Sequence, residues 1–158
     1  MKRLQPRFLP LALCGLIISG CASQPDNASL PPSKFKFKVG QVYKYQNRPQ
    51  EPNSTFTVLK VEPDEKLVNI VHVSIAGLKM KNPKSKNGFS DSIGHMPFSE
   101  AALGASATKK VQENGKLTDY QASYKQWKAA YEKQTAGAFS VPVSEAVAIM
   151  EETLGNQK

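Results

Sequence analysis

Side chains that carry chemistry are scarce in this 158-residue chain, which has only two cysteines and two histidines. The sequence has no histidine pair at metal-ligand spacing, no Gly-x-Ser-x-Gly nucleophile elbow and no glycine-rich phosphate loop. Glu151 and Glu152 are neighbours on a predicted helix and point to different sides, so they do not form an acid–base pair. We therefore expect no cofactor, no metal site and no catalytic activity.

Each histidine has a structural and a functional interpretation. His72 lies between Val71 and Val73 in the most apolar segment, which predicts a packed residue that makes one hydrogen bond. His95 lies at a predicted loop-to-helix junction, where it would tether the loop or serve as a base. We expect the structural role for both.

The first twenty residues lack acidic side chains and have the layout of a secretory signal peptide. The basic start is formed by Lys2, Arg3 and Arg7. The apolar stretch at residues 8–18 is shorter than the roughly 20 residues that a membrane-spanning helix needs. The small residues Ser19 and Gly20 then lead into Cys21. Cleavage near Ala22 and an uncleaved anchor are the alternatives to cleavage before Cys21.

The run Ile18-Ser19-Gly20-Cys21 resembles the lipobox of bacterial lipoproteins. In that class the cysteine thiol receives a diacylglycerol, cleavage occurs before the cysteine, and the new amine is acylated. An aspartate directly after the cysteine often favours retention in the inner membrane, and Asp26 is too far along the chain for that. The resemblance therefore implies lipidation of Cys21 and an outer-membrane location, with the domain facing the periplasm.

Removal of residues 1–20 would also remove Cys14, so an acylated Cys21 would leave the mature chain no free thiol. Disulfides, thiol catalysis and cysteine metal sites would then be excluded. Loss of the three basic residues of the signal lowers the net charge from +8 to +5. Residues 21–33 are polar and proline-rich and predict a flexible lipidated tether. Residues 34–158 are long enough for a single domain.

Period-two alternation predicts strands in the N-terminal half of this domain, at residues 34–45 with a break at Gly40, 54–62 and 67–78. The last two would form an antiparallel hairpin. Residues 79–97 are predicted to be a long connection, and loops of that length are usually functional or mobile.

The C-terminal half is predicted to be helical. The expected helices run from the N-cap Ser99 to residue 112, from Thr118 or Asp119 to residue 134, and from the cap Ser144 to Gly155, with a short strand at residues 139–141. Strands followed by helices predict an α+β fold, in which an antiparallel sheet is packed by about three C-terminal helices. The segment His95–Glu100, together with the hairpin start, resembles small bacterial domains without an assigned activity, so it brings no catalytic residues.

Two candidate binding surfaces emerge, one basic and one aromatic. The basic surface comprises Lys79, Lys81, Lys84, Lys86 and the nearby His95. The aromatic surface comprises Tyr120, Tyr124, Trp127 and Tyr131, which recur on one helical face. The structural alternatives are a solvated loop for the lysines and packing on the sheet for the aromatic stripe.

Together these features predict a non-enzymatic outer-membrane lipoprotein whose periplasmic domain binds a protein. It would be an inhibitor or immunity protein against an envelope-targeting toxin, or an accessory subunit of an envelope or secretion assembly. One alternative is binding of peptidoglycan or of anionic lipid, and another is an envelope hydrolase that uses His95. Nucleic acid is not expected as a partner, because the sequence has no compact Lys/Arg cluster with interleaved aromatics.

Overall fold

The computed structural model describes residues 36–156. The predicted signal peptide, the predicted lipidation site Cys21 and the predicted tether at residues 21–33 lie outside the described residues, and so does the predicted start of the domain at residue 34.

The described chain forms one five-stranded antiparallel sheet with three helices. The strands are β1 (Val42–Tyr45), β2 (Thr55–Asp64), β3 (Val68–Lys81), β4 (Phe89–Ser99) and β5 (Ala107–Gln112). The helices are α1 (Glu100–Ser106), α2 (Gln121–Glu132) and α3 (Val143–Asn156). The strand order is β4-β3-β2-β1-β5. The predicted α+β class, with an antiparallel sheet from the N-terminal half, is confirmed.

The hydrophobic core lies between one face of the sheet and the helices α1 and α3. Alternate residues of the strands, such as Phe56, Val73 and Phe98, point into this core and are fully buried. Leu103 of α1 and Val147 of α3 meet them from the helical side. Ser99 caps α1 as predicted, since its hydroxyl accepts a hydrogen bond from the backbone N–H of residue 102 at 3.2 Å.

The opposite face of the sheet, which we call the second face, is covered over one half only. Lys60, Glu62 and His72 share this face because of their alternation and pairing. Helix α2 lies over them, while none of its own side chains is fully buried. Residues 113–120 cross the same face on the way to α2. The other half, between the centre of β3 and β5, has no helix over it.

The prediction of a long connection at residues 79–97 is wrong. Strand β3 continues to Lys81 and β4 begins at Phe89, so only residues 82–88 form a turn. Gly77, at φ +77°, marks an irregularity in the pairing with β4, after which Leu78 and Met80 point into the core. Cross-strand pairing thus overrides the weak alternation of the polar β4.

His95 consequently lies inside β4 rather than at a loop-to-helix junction, and so does Pro97. Proline is tolerated there because β4 is an edge strand of the sheet. The predicted strand at residues 139–141 is reduced to an isolated parallel bridge between Phe98 and Phe139.

The prediction of one helix from residue 99 to residue 112 is also wrong. Helix α1 ends at Ser106, and Ala107 turns into an extended conformation at φ −64° and ψ 131°. The next residues form β5, which completes the sheet against β1. In the third helix, Val143 and not the expected cap Ser144 is the first residue, and Gly155 lies within the helix. Within residues 36–156, no helix has the length and apolarity to cross a membrane.

Candidate functional site

The predicted aromatic stripe faces the sheet. Trp127 and Tyr131 stack with ring centroids 4.8 Å apart, and the indole N–H of Trp127 donates to the carbonyl of Gly137 at 2.9 Å. Tyr124 donates to Glu62, and Tyr131 donates to Asp64. The stripe therefore holds α2 on the second face and is half-buried there.

His72 and His95 lie beneath α2, and together with Glu62 they form what we call the histidine cluster. His72 Nδ1 and His95 Nε2 are hydrogen-bonded at 2.9 Å, with the two rings only 11° from coplanar. Trp127 and Tyr124 contact His72 edge-on, at centroid distances of 4.7 Å and 5.1 Å. His72 is fully buried and makes one hydrogen bond, in agreement with the sequence prediction.

Glu62 joins the histidine cluster to the cations around it. One of its carboxylate oxygens accepts from Lys60 Nζ and from the hydroxyl of Tyr124, both at 2.8 Å. The other oxygen lies 3.5 Å from His72 Nε2 and 3.6 Å from Lys128 Nζ. His72 Nε2 makes no hydrogen bond with any of the described residues, so this long contact with Glu62 is its nearest polar interaction.

The titration of these groups follows from burial and from their partners. Burial, with a smaller contribution from the neighbouring His95, lowers the pKa of His72 to about 4, although the nearby Glu62 acts in the opposite direction. Burial also lowers the pKa of His95. Burial alone would raise the pKa of Glu62, but hydrogen bonds from Lys60 and Tyr124 outweigh it and bring this pKa to about 2. At neutral pH the histidines are uncharged and Glu62 is ionised.

The side chains of Glu62, His72 and His95 are arranged in the order of a carboxylate–imidazole relay. The last member of this relay, His95, lies under α2. His95 contacts His72 and the rings of Tyr120, Tyr124 and Trp127. Within residues 36–156, no hydroxyl or thiol is hydrogen-bonded to His95, and no group of three potential metal ligands occurs. The geometry can hold and share a proton, and it presents no nucleophile.

The four predicted lysines surround the β3–β4 turn, which we call the lysine hairpin. Lys79 and Lys81 end β3, Lys84 and Lys86 lie in the turn, and all four are exposed. Phe89 begins β4, remains 39% exposed and has Lys79 Nζ 5.9 Å from its ring centroid. Phe89 lines a groove of about 550 Å³ together with Asn87, Asp91 and Ser92.

Two carboxylates that sequence reasoning missed hold the base of the lysine hairpin. Glu51 is fully buried and accepts from two nitrogens of Arg48 and from the backbone N–H of Lys79. Glu151 of α3 accepts from Arg48 Nη1 and from the backbone N–H of Lys81, each at 2.6 Å. Hydrogen bonds to these carboxylates raise the pKa of Arg48. This ion network fixes the end of β3 to the core.

A second pair of lysines was missed because strand pairing, not sequence proximity, brings them together. Lys44 of β1 lies directly opposite Lys109 of β5, although residue 109 was expected in a helix. The same register row continues through Thr55, Ala76 and Ser92, which also lines the groove. We call this row the open face. Its five strands span about 19 Å at the usual strand spacing.

The lysines of the open face and those near the histidine cluster differ in their partners. Among the described residues, Lys44 and Lys109 have no carboxylate within ion-pair distance, whereas Lys60 is bonded to Glu62. Like charges directly opposite each other on neighbouring strands are destabilising. The open face and the lysine hairpin meet at Ser92, beside Asp91 in the groove, while the histidine cluster is closed by α2.

Comparison with known proteins assigns no activity to either region. No family model matches this chain, and no curated protein or solved structure is significantly similar to it.

Proposed function

We propose that this protein is a non-catalytic, lipid-anchored envelope protein whose periplasmic domain binds an acidic protein through the lysine hairpin and the open face. It serves as an inhibitor or immunity protein against an envelope-targeting toxin, or as an accessory subunit of an envelope assembly. The anchor is Cys21, and an outer-membrane location follows from the same lipobox resemblance.

The observation that carries the proposal is the lysine hairpin itself. It combines four exposed cations with an exposed Phe89 beside a groove, and interfaces typically surround an apolar anchor with a polar rim. The network of Arg48, Glu51 and Glu151 holds its base in place. A fixed surface loses less conformational entropy on binding than a mobile loop would.

Charge complementarity selects the partner. The facing Lys44 and Lys109 repel each other in the free protein, and an acidic surface would relieve that repulsion. Binding dominated by exposed charges weakens as salt screens them, with a Debye length of about 8 Å at physiological ionic strength. We therefore expect the complex to dissociate as salt is raised.

The first experiment is recovery of the partner from solubilised envelopes with the lipidated, tagged protein. The double variant Lys79→Glu, Lys81→Glu should lose the recovered protein. The matched control Lys125→Glu, Lys133→Glu reverses two exposed lysines of and next to α2 and should retain it. Equal recovery by both variants, or recovery that is insensitive to salt, would contradict the assignment of the surface.

The same variants distinguish the alternative ligands. Each variant is sedimented with purified peptidoglycan or with vesicles that contain anionic lipid. If co-sedimentation depends on Lys79 and Lys81 while no acidic protein is recovered, the ligand is the glycan or the lipid and not a protein. The packing of the aromatic stripe against the sheet leaves fewer aromatic faces for stacking on sugars.

The anchor is tested separately. Cys21→Ser should abolish lipid labelling and release the protein from membranes, whereas the control Cys14→Ser should leave both unchanged. Membrane attachment that persisted in Cys21→Ser would refute the lipoprotein part of the proposal without affecting the binding surface.

A further inference from the structure

The hydrogen bond between His72 and His95 has room for only one proton between its two nitrogens. Its two nitrogens are 2.9 Å apart, and the rings are nearly coplanar. A neutral imidazole has one N–H donor and one acceptor nitrogen, whereas an imidazolium has two donors and no acceptor. If both rings were protonated, two N–H groups would face each other at this distance, and the hydrogen bond could not exist.

The surroundings decide which nitrogens carry protons at neutral pH. The carboxylate of Glu62 lies 3.5 Å from His72 Nε2. It attracts an N–H at that nitrogen and would repel a lone pair, so Nε2 carries the proton. His72 Nδ1 is then the acceptor, and His95 Nε2 is the donor; this tautomer is assigned from the partners. A first additional proton fits on the far nitrogen of His95, but a second proton, on His72 Nδ1, breaks the bond.

Helix α2, which closes the cluster, is weakly attached. None of its side chains is fully buried, and its N-cap Tyr120 makes no side-chain capping bond. Asp119 accepts from the backbone N–H of Gln121 at the long distance of 3.4 Å. It is held mainly through Tyr124, Trp127 and Tyr131. Segments with little buried apolar surface open at lower free energy than the core of a protein.

We propose that α2 is a latch released by acid: protonation of the His72–His95 pair frees the helix from the second face and exposes the aromatic stripe, while the core face stays folded. This device is independent of what binds the lysine hairpin.

Charged and titratable groups face the pair from two elements. Strand β2 contributes Lys60 and Glu62, and α2 contributes Lys128 and the tyrosines. The pKa of Glu62 is about 2, and its hydrogen bond to Lys60 raises the pKa of the lysine. Tyr131 lowers the pKa of Asp64, the carboxylate that anchors the end of α2. The protons taken up in the acid range therefore fall on the two histidines, whose pKa values are lowered by burial.

The direction of the pH effect follows from the lowered pKa values. In the released state, solvated histidines would titrate near 6.5, whereas burial holds the pKa of His72 at about 4 and lowers that of His95. The released state consequently binds more protons below pH 6.5. The closed state is favoured above that pH and loses its advantage as the pH falls toward 4. For His72 alone, the ratio of closed to released protein falls by about 40-fold between pH 6.5 and pH 4.5.

Trp127 provides a direct probe, because it is the one tryptophan of the chain and its ring contacts His72. The full-length protein should show a red shift of tryptophan emission between pH 6.5 and pH 4. Over the same range, amide hydrogen exchange corrected for the intrinsic rate should accelerate in α2 and remain slow in β3. The exchange measurement separates release of the helix from simple quenching of Trp127 by a protonated His72.

Two substitutions test the cause. His95→Gln is tolerated sterically at a half-buried position and should lower the midpoint of the transition, and the double variant with His72→Gln should abolish it. Both variants must keep slow amide exchange in β3 at pH 7, which shows that they are folded. If the double variant fails this requirement, His95→Gln alone is used for the test. Unchanged α2 exchange from pH 7 to pH 4, an equal pH response in the double variant, or simultaneous loss of protection in α2 and β3 would each overturn the proposal.

Discussion

Replacement of Glu51 by glutamine tests whether the ion network supports the lysine hairpin. Glu51 is fully buried and accepts two hydrogen bonds from Arg48 and one from the N–H of Lys79. Glutamine keeps the size of the side chain and removes its charge. Arg48, whose side chain is only 10% exposed, is then left with Glu151 as its one carboxylate partner among the described residues.

Removing one partner of a buried ion pair costs about 3–5 kcal/mol, because the other charge stays buried without compensation. Since Glu151 remains beside Arg48, we expect the low end, about 3 kcal/mol. For a domain of this size, that corresponds to a fall of about 12 °C in Tm. Urea unfolding followed by far-UV circular dichroism measures the free energy of unfolding, with the exposed neighbour Glu152→Gln as the control.

The control should change stability by no more than about 0.5 kcal/mol. A loss below about 1 kcal/mol for Glu51→Gln would refute the reasoning, because Arg48 would then reach solvent without cost. A large loss of stability combined with unchanged partner recovery would retain the network but remove its role in holding the binding surface.

Two further substitutions test the local structure around the sheet. Ser99→Ala should destabilise the protein by about 1 kcal/mol through loss of the α1 cap, and a change within 0.3 kcal/mol in urea unfolding would argue against that cap. Gly77→Ala and Gly88→Ala impose the same positive φ on alanine, about +77°, and each should cost roughly 1 kcal/mol. Only at Gly77 would the added Cβ lie 3.2 Å from the backbone of Ser54, so Gly77→Ala should cost more, and equal losses in thermal unfolding would contradict the close contact.

The sequence predicts the elements whose signals are local. The alternation around Val71 and Val73 identifies β3, and Ser99 marks the start of α1 because its side chain is suited to the cap. Strands β4 and β5 were missed for one common reason. Their residues are largely polar, and pairing with a neighbouring strand makes them strands. Strand β5 pairs with β1, which is distant in the sequence, and β4 pairs with β3 across a turn that the alternation does not reveal.

The candidate site shows the same division. The lysines of the hairpin are visible in the sequence because they cluster along the chain. Lys44 and Lys109 are 65 positions apart, and only the β1–β5 register makes them neighbours. The pairing of His72 with His95 likewise depends on the β3–β4 register, so sequence reasoning considered the two histidines separately.

The most direct test of the central claim is site-specific photocrosslinking from position 89 in intact cells. A photoreactive phenylalanine replaces Phe89, and the control probe replaces Ile149, an equally exposed apolar residue on α3. The account predicts a discrete adduct with an acidic protein from position 89, none from position 149, and loss of the adduct when Lys79 and Lys81 are changed to glutamate. Adducts of equal yield from both positions, or an adduct that survives the charge reversal, would contradict it.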